Sequence, residues 1–165
     1  VIASEDFELW IRMNKAGWKT ERIDAVMSWH DARILNWRQW WKRSERTGHA
    51  YGQVPSLHLA ETGFDHHHKS INRVVLWGIA IPAVLLLLAP ITHGTSLLGF
   101  ALYALSGWRG YKYGIRRGWP KQTVKSWSIL NTLAKFPEAA GLLRWYWRKC
   151  TGKQMKLIEY KQVKT

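Results

Sequence analysis

The chain has one cysteine and few acidic residues, and one long stretch of it carries no charge at all. With Cys150 alone, an internal disulfide and a multi-cysteine zinc site are both excluded. Eleven Asp and Glu stand against 25 Lys and Arg, a formal net charge of +14 over 165 residues. An acid deficit of that size points to an anionic partner, either nucleic acid or the anionic face of a membrane. There is no internal repeat, no low-complexity segment and no initiator Met, so the chain, opening at Val1, is expected to be part of something longer. What is present is apolar and aromatic: 47% hydrophobic residues and 12 Trp, too many for a solvated, disordered chain. The length suits one domain of ordinary size.

The charge is divided. Residues 1–108 hold 11 Lys/Arg against 9 Asp/Glu, whereas residues 109–165 hold 14 against only Glu138 and Glu159. No Asp, Glu, Lys or Arg lies between Arg73 and Arg109. That gap opens with Val74 to Ile91, apolar apart from one Gly, with Pro82 and Pro90 inside it. As a helix this run spans roughly 27 Å, close to a bilayer core of about 30 Å. Thr92-His93-Gly94-Thr95-Ser96 then reads as a turn. A second run from Leu97 to Leu105 spans only if it starts near Thr95 and continues past Trp108 toward Ile115. These segments predict a transmembrane helical hairpin over 71–115, kinked at Pro82. The basic flanks place both of its ends in the cytoplasm and His93 at the far turn. The alternative is a buried core helix of a soluble domain, which rarely runs so far without charge.

Residues 116–165 read as a basic amphipathic tail. Val124, Trp127, Leu130, Leu133 and Ala134 recur at helical spacing. Pro137 stops that helix and suits the first turn of another, with Glu138 near its positive end. Leu142, Leu143, Trp145, Tyr146 and Trp147 interleave with Arg144, Arg148 and Lys149, the pattern of a helix lying on anionic lipid. A helix packed on its own domain has the same pattern. Met155 to Tyr160 reads as a strand or an ordered tail. The basic setting of Cys150 would lower a thiol pKa, although a passive thiol is the simpler reading.

In the first seventy residues Ser4 is a candidate N-cap, with acidic residues crowding the first turn of a helix. Leu9, Met13 and Ala16 share one face of it, and Gly17 is its stop. Trp18 to Met27 reads as extended, with Ile23 and Val26 available for burial, and leads into Trp29-His30-Asp31. Trp37, Arg38, Trp40, Trp41, Lys42, Arg43 and Arg46 make a basic aromatic helix, placed either at a membrane surface or beneath a catalytic domain. His66-His67-His68 cannot all reach one metal from a regular element, because neighbouring side chains point apart, and reads as a solvated loop.

Ser4-Glu5-Asp6, Glu8-Leu9, Arg12-Met13, Ala16-Gly17-Trp18 and Met27-Ser28-Trp29-His30-Asp31-Ala32 resemble, in that order, the C-terminal part of a GT-A catalytic domain of family 2 glycosyltransferases. Gln39-Trp40-Trp41, Gly48-His49-Ala50-Tyr51, the hairpin, Lys135-Phe136-Pro137-Glu138 and Leu157-Ile158-Glu159-Tyr160-Lys161 resemble the tail of a membrane-bound branch of that family. The resemblance implies a mostly α fold: a GT-A α/β remnant over 1–70, a transmembrane hairpin, then amphipathic interfacial helices. It implies an integral membrane protein of the bacterial inner membrane that transfers sugar from a nucleotide-sugar donor to a lipid-linked or envelope glycan acceptor, in contact with anionic membrane lipids. It gives Asp6, with Glu5 beside it, as the general base, and His30 as the residue completing the site of a divalent metal, Mg or Mn. Gln39, Trp40, Trp41 and Arg43 then lie at the membrane surface near the acceptor, although they do not form the Gln-x-x-Arg-Trp motif of processive synthases. No Asp-x-Asp occurs in the chain and no nucleotide-binding βαβ region precedes Glu5. The donor-binding half is therefore expected upstream, and the chain alone is expected to be inactive.

Two other readings remain open. A non-enzymatic membrane anchor or scaffold fits the chain alone as well. Binding of nucleic acid is suggested by charge and Trp content, but the uncharged span speaks against it.

Overall fold

The structure is a computed structural model and describes residues 4–21, 23, 34–57 and 65–153. Among the described residues every regular element is helical and none is a strand, so the chain is mostly α as expected. Contacts divide it into two compact units, residues 1–64 with 141–165, and residues 65–140.

The first unit is built on α1 (Glu5–Lys15), α2 (Trp37–Leu57) and residues 141–150 of α7 (Lys135–Cys150). Glu5, Asp6 and Glu8 in the first turn of α1 and Arg12 and Lys15 in the last complement the helix dipole. Glu8 also pairs with Arg12 one turn on at 2.9 Å. Ser4 does not cap the helix with its side chain. Its backbone is left-handed (φ 59), outside the usual N-cap conformation, and its carbonyl accepts the Glu8 N–H. Gly17 does stop the helix. At φ +82 it lets Trp18 N–H reach the Met13 carbonyl and its own N–H reach that of Asn14. The buried face of α1 is Phe7 and Ile11 against Val54, whereas Leu9 and Met13 are exposed. The i,i+4 pair that meets α2 wins over the apolar face read from sequence. Trp18–Glu21 and Ile23 have no regular structure. The remainder of the expected extended stretch, and the expected strand or tail over 155–160, lie outside the described residues.

α2 and α7 meet backbone to backbone. A Cβ on Gly141 would fall on the Glu45 carbonyl, and one on Gly52 would fall on the Trp145 ring. Ala50, Val54, Leu142 and Trp145 are buried along this seam.

In the second unit, α3 (Asp65–Val75) runs through a π-helical turn (Leu76–Ala80) into α4 (Ile81–Leu88). His66–His68 are therefore helical rather than looped. Pro82 sits in the first turn after the π segment, where a missing N–H removes no α-helical bond from the run. The chain reverses near His93 (φ 48) and Gly94 (φ +84) and returns as a 3₁₀ segment (Thr95–Phe100) and α5 (Ala101–Arg116). The returning limb is tied to the outgoing one. Ser96 Oγ donates to the Leu85 carbonyl at 2.8 Å, Gly99 packs against Leu85, and the Tyr103 hydroxyl donates to the Trp77 carbonyl.

Gly118 (φ +75) ends α5, and Pro120 opens α6 (Lys121–Leu133). α5 and α6 pack through small residues: Gly107 on Thr132, Gly110 on Ser128 and Gly114 on Val124. α7 starts at Lys135, two residues ahead of Pro137. There Gly78 admits the Lys135 carbonyl and Ala139, and Phe136 stacks on Tyr103 at 5.4 Å.

Candidate functional site

The expected acid pair occupies the first turn of α1, where the unfilled N–H groups favour carboxylates. Glu5 and Asp6 are both exposed. Glu5 meets Arg46 of the basic aromatic helix at 3.5 Å, so the structure brings the acid pair and α2 together. With the Glu5 side chain 62% exposed, that ion pair orients the two groups more than it stabilises them. Asp6 is left available to an external hydroxyl.

On α2, Trp37 and Trp40 lie 4.3 Å apart at 34°, and Trp41 meets Trp40 edge-on at 6.5 Å. Trp37 and Trp41 present exposed surface and Trp40 is half-buried. Gln39 has a structural task. Its side-chain oxygen accepts the Leu35 N–H at 2.7 Å, while Asn36 Oδ1 accepts the Gln39 N–H at 2.9 Å. That reciprocal arrangement caps the helix start. Arg43 is half-buried on the same helix.

His30 lies outside the described residues. Among those described, no three His, Cys, Asp or Glu side chains gather to hold a metal. Two exposed carboxylates on one helical turn do not by themselves make a divalent site, and the chain carries no Asp-x-Asp.

One cluster escaped the sequence reading. Glu45 and His49 face Arg144 and Arg148, two i,i+4 pairs on facing helices. Glu45 is buried and paired with Arg144, and His49 is fully buried. Neither His49 ring nitrogen has a hydrogen-bond partner among the described residues, nor does one terminal nitrogen of Arg148. Burial, then Arg148, then Arg144, hold the His49 pKa down at about 4, so the ring is neutral. The matching of Glu45/His49 with Arg144/Arg148 at one-turn spacing was the available signal.

The second unit carries a cavity of about 430 Å³ lined mainly by apolar groups, among them Tyr103, Gly107, Trp108 and Leu133. It also carries a polar one of about 270 Å³ lined by Arg73, Trp77, Ser106, Asn131, Thr132 and Lys135. Beyond them lies a rim of cations on aromatic rings. Lys112 Nζ lies 3.8 Å from the Trp108 ring, and Arg117 lies 5.2 Å from Tyr113, which meets Trp119 and Trp127. On α7, Leu143, Tyr146 and Trp147 form an exposed apolar face, Trp147 being 66% exposed.

His68–Leu88 is long and apolar enough to cross a membrane by length and composition, with mean hydropathy 2.1, and it alone is so among the described residues. In comparison with known proteins, no family model matches the chain, and no curated protein or solved structure does.

Proposed function

We propose that this chain is the membrane-embedded, C-terminal part of a family 2-type glycosyltransferase. One observation carries the membrane half of the reading. The most apolar window of His68–Leu88 is only 6% buried, whereas the core helix of a soluble protein with that composition is mostly buried. Leu86 and Leu87 expose 59% and 74% of their surface, and on the returning limb Leu98 exposes 78%. Lipid is the solvent that tolerates such a surface. Thr95–Arg116 completes the hairpin, with Trp108, Tyr111 and Tyr113 at the interface and Arg109, Lys112 and Arg116 on the cytoplasmic side. In its own unit, the exposed Leu143, Tyr146 and Trp147 of α7 give a second apolar surface suited to lipid. The bacterial inner membrane supplies its anionic lipid.

The catalytic half is supported by the ordered resemblance over residues 4–32 and by the Glu5–Arg46 contact, which puts the acid pair beside the aromatic helix. Asp6 takes the proton of the acceptor hydroxyl as that oxygen attacks the anomeric carbon of the donor sugar, and the anomeric carbon–oxygen bond to the nucleoside diphosphate breaks as the diphosphate leaves. Trp37 and Trp41 give a glycan or lipid-linked acceptor an aromatic surface. The donor and the rest of the metal site are held upstream, with His30 completing the metal site.

In the longer enzyme, Asp6→Asn is expected to lower kcat about 100- to 10,000-fold, the usual worth of a positioned general base. Folding and membrane retention are expected to be unchanged, because Asp6 is exposed. Full activity in that variant removes Asp6 from the base role. Membrane retention with no transfer by the wild-type longer protein favours a non-enzymatic anchor.

A further inference from the structure

The polar cavity of the second unit has a chemistry that neither the acid pair nor the apolar span uses. Arg73 and Lys135 bring two cations to it, from the end of α3 and the start of α7. Ser106, Asn131 and Thr132 add short polar side chains from α5 and α6, and Trp77 closes one wall. The Lys135 ammonium is held by Glu138 Oε2 at 2.6 Å, which fixes its position and leaves two of its three protons free. Arg73 lines the same cavity. The Arg73 and Asn131 side chains line the cavity with no side-chain hydrogen bond to another described residue, which leaves their donors for an added acceptor. The lining therefore offers the Arg73 guanidinium, the remaining Lys135 protons, the Asn131 amide and the Ser106 hydroxyl, the Thr132 hydroxyl being given to the Ser128 carbonyl.

Its depth is equally telling. Arg73 immediately precedes the uncharged run that starts at Val74. The cavity thus sits where the apolar run gives way to charge, which the membrane reading puts at headgroup level. Basic cavities between helices at that depth suit lipid phosphates.

We propose that this cavity binds the phosphate of an anionic membrane phospholipid, with Arg73, Lys135 and Asn131 as its donors. The proposal rests on the membrane reading above for the source of the phosphate. A guanidinium and an ammonium converging from different helices also tie the start of α7 to the end of α3 whenever the phosphate is bound.

Replacing Lys135 strips a buried carboxylate of its partner, so Arg73→Gln and Asn131→Leu are the informative variants. The full chain is placed in phosphatidylcholine nanodiscs doped with phosphatidylglycerol, and bound phosphatidylglycerol is counted by native mass spectrometry across a titration. Arg73→Gln is expected to weaken retention about tenfold, as the loss of a hydrogen bond between charged groups implies. Asn131→Leu, which leaves the charge unchanged, is expected to weaken it measurably. Lys121→Gln, an equal loss of charge on the exposed start of α6, is expected to leave retention within about twofold of wild type. Equal losses for Arg73→Gln and Lys121→Gln show diffuse surface attraction and overturn the site. Displacement of phosphatidylglycerol by equimolar inorganic phosphate overturns the lipid as its ligand. A chain that leaves membranes on a carbonate wash fails the membrane reading and this proposal together. A chain that stays, but binds lipid independently of Arg73, fails this proposal alone.

Discussion

His49 shows what a single buried side chain implies for stability. An imidazole with both nitrogens unpartnered costs about 1–3 kcal/mol relative to one that is satisfied. Its pKa falls from 6.5 to about 4 on folding, so the unfolded chain takes up the proton first. Stability is therefore complete above about pH 6.5 and falls as pH drops toward 4, by about 3 kcal/mol in all. Urea unfolding followed across that window is expected to show the loss. His49→Leu is expected to flatten it and to match or exceed wild-type stability at neutral pH. A wild-type curve that is flat between those limits contradicts the burial of His49. Glu138 shifts the other way: burial raises its pKa despite the ammonium of Lys135 beside it.

At the level of elements, glycines decide which helices can touch. A Cβ at Gly141 has nowhere to go but into the Glu45 backbone, so Gly141→Ala is expected to cost about 3 kcal/mol by forcing α2 and α7 apart. At Gly110 the nearest atom, Ser128 Cβ, lies 3.5 Å away, ordinary van der Waals contact. Gly110→Ala is expected to be neutral or to stabilise by about 0.5–1 kcal/mol through helix propensity. Thermal unfolding of both variants in the same detergent checks the contrast. Elements set by local chemistry were legible in the sequence: the Gly17 stop, the reversal at Thr92–Ser96, the helix around Val124–Leu133, and Pro137 in the first turn of α7. Elements set by distant partners were not. The buried face of α1 depends on Val54, and the π turn at Leu76–Ala80 coincides with Gly78 admitting the Lys135 carbonyl. Ser4 lost its cap to its own backbone angles. The helical His66–His68 follow from a helix start at Asp65, one residue ahead of the triplet. Of the candidate site, the neighbourhood of Glu5 and α2 became visible only in three dimensions, and the Arg73–Lys135 cavity gathers residues sixty positions apart.

Over the whole molecule, charge and exposed apolar surface complement each other. Twelve of the fourteen net positive charges follow Trp108, after the uncharged span, while residues 1–108, which hold the acid pair, carry a net of +2. An exposed helix of mean hydropathy 2.1 suits a lipid solvent. A membrane protein needs it, and needs the cationic rim on one side only. The anchoring and the phosphate cavity proposed above both require this helix to lie in lipid. Washing membranes from cells that produce the chain with alkaline carbonate tests this most directly. The account predicts that the chain sediments with the lipid and is released only by detergent. Release into the supernatant would contradict it.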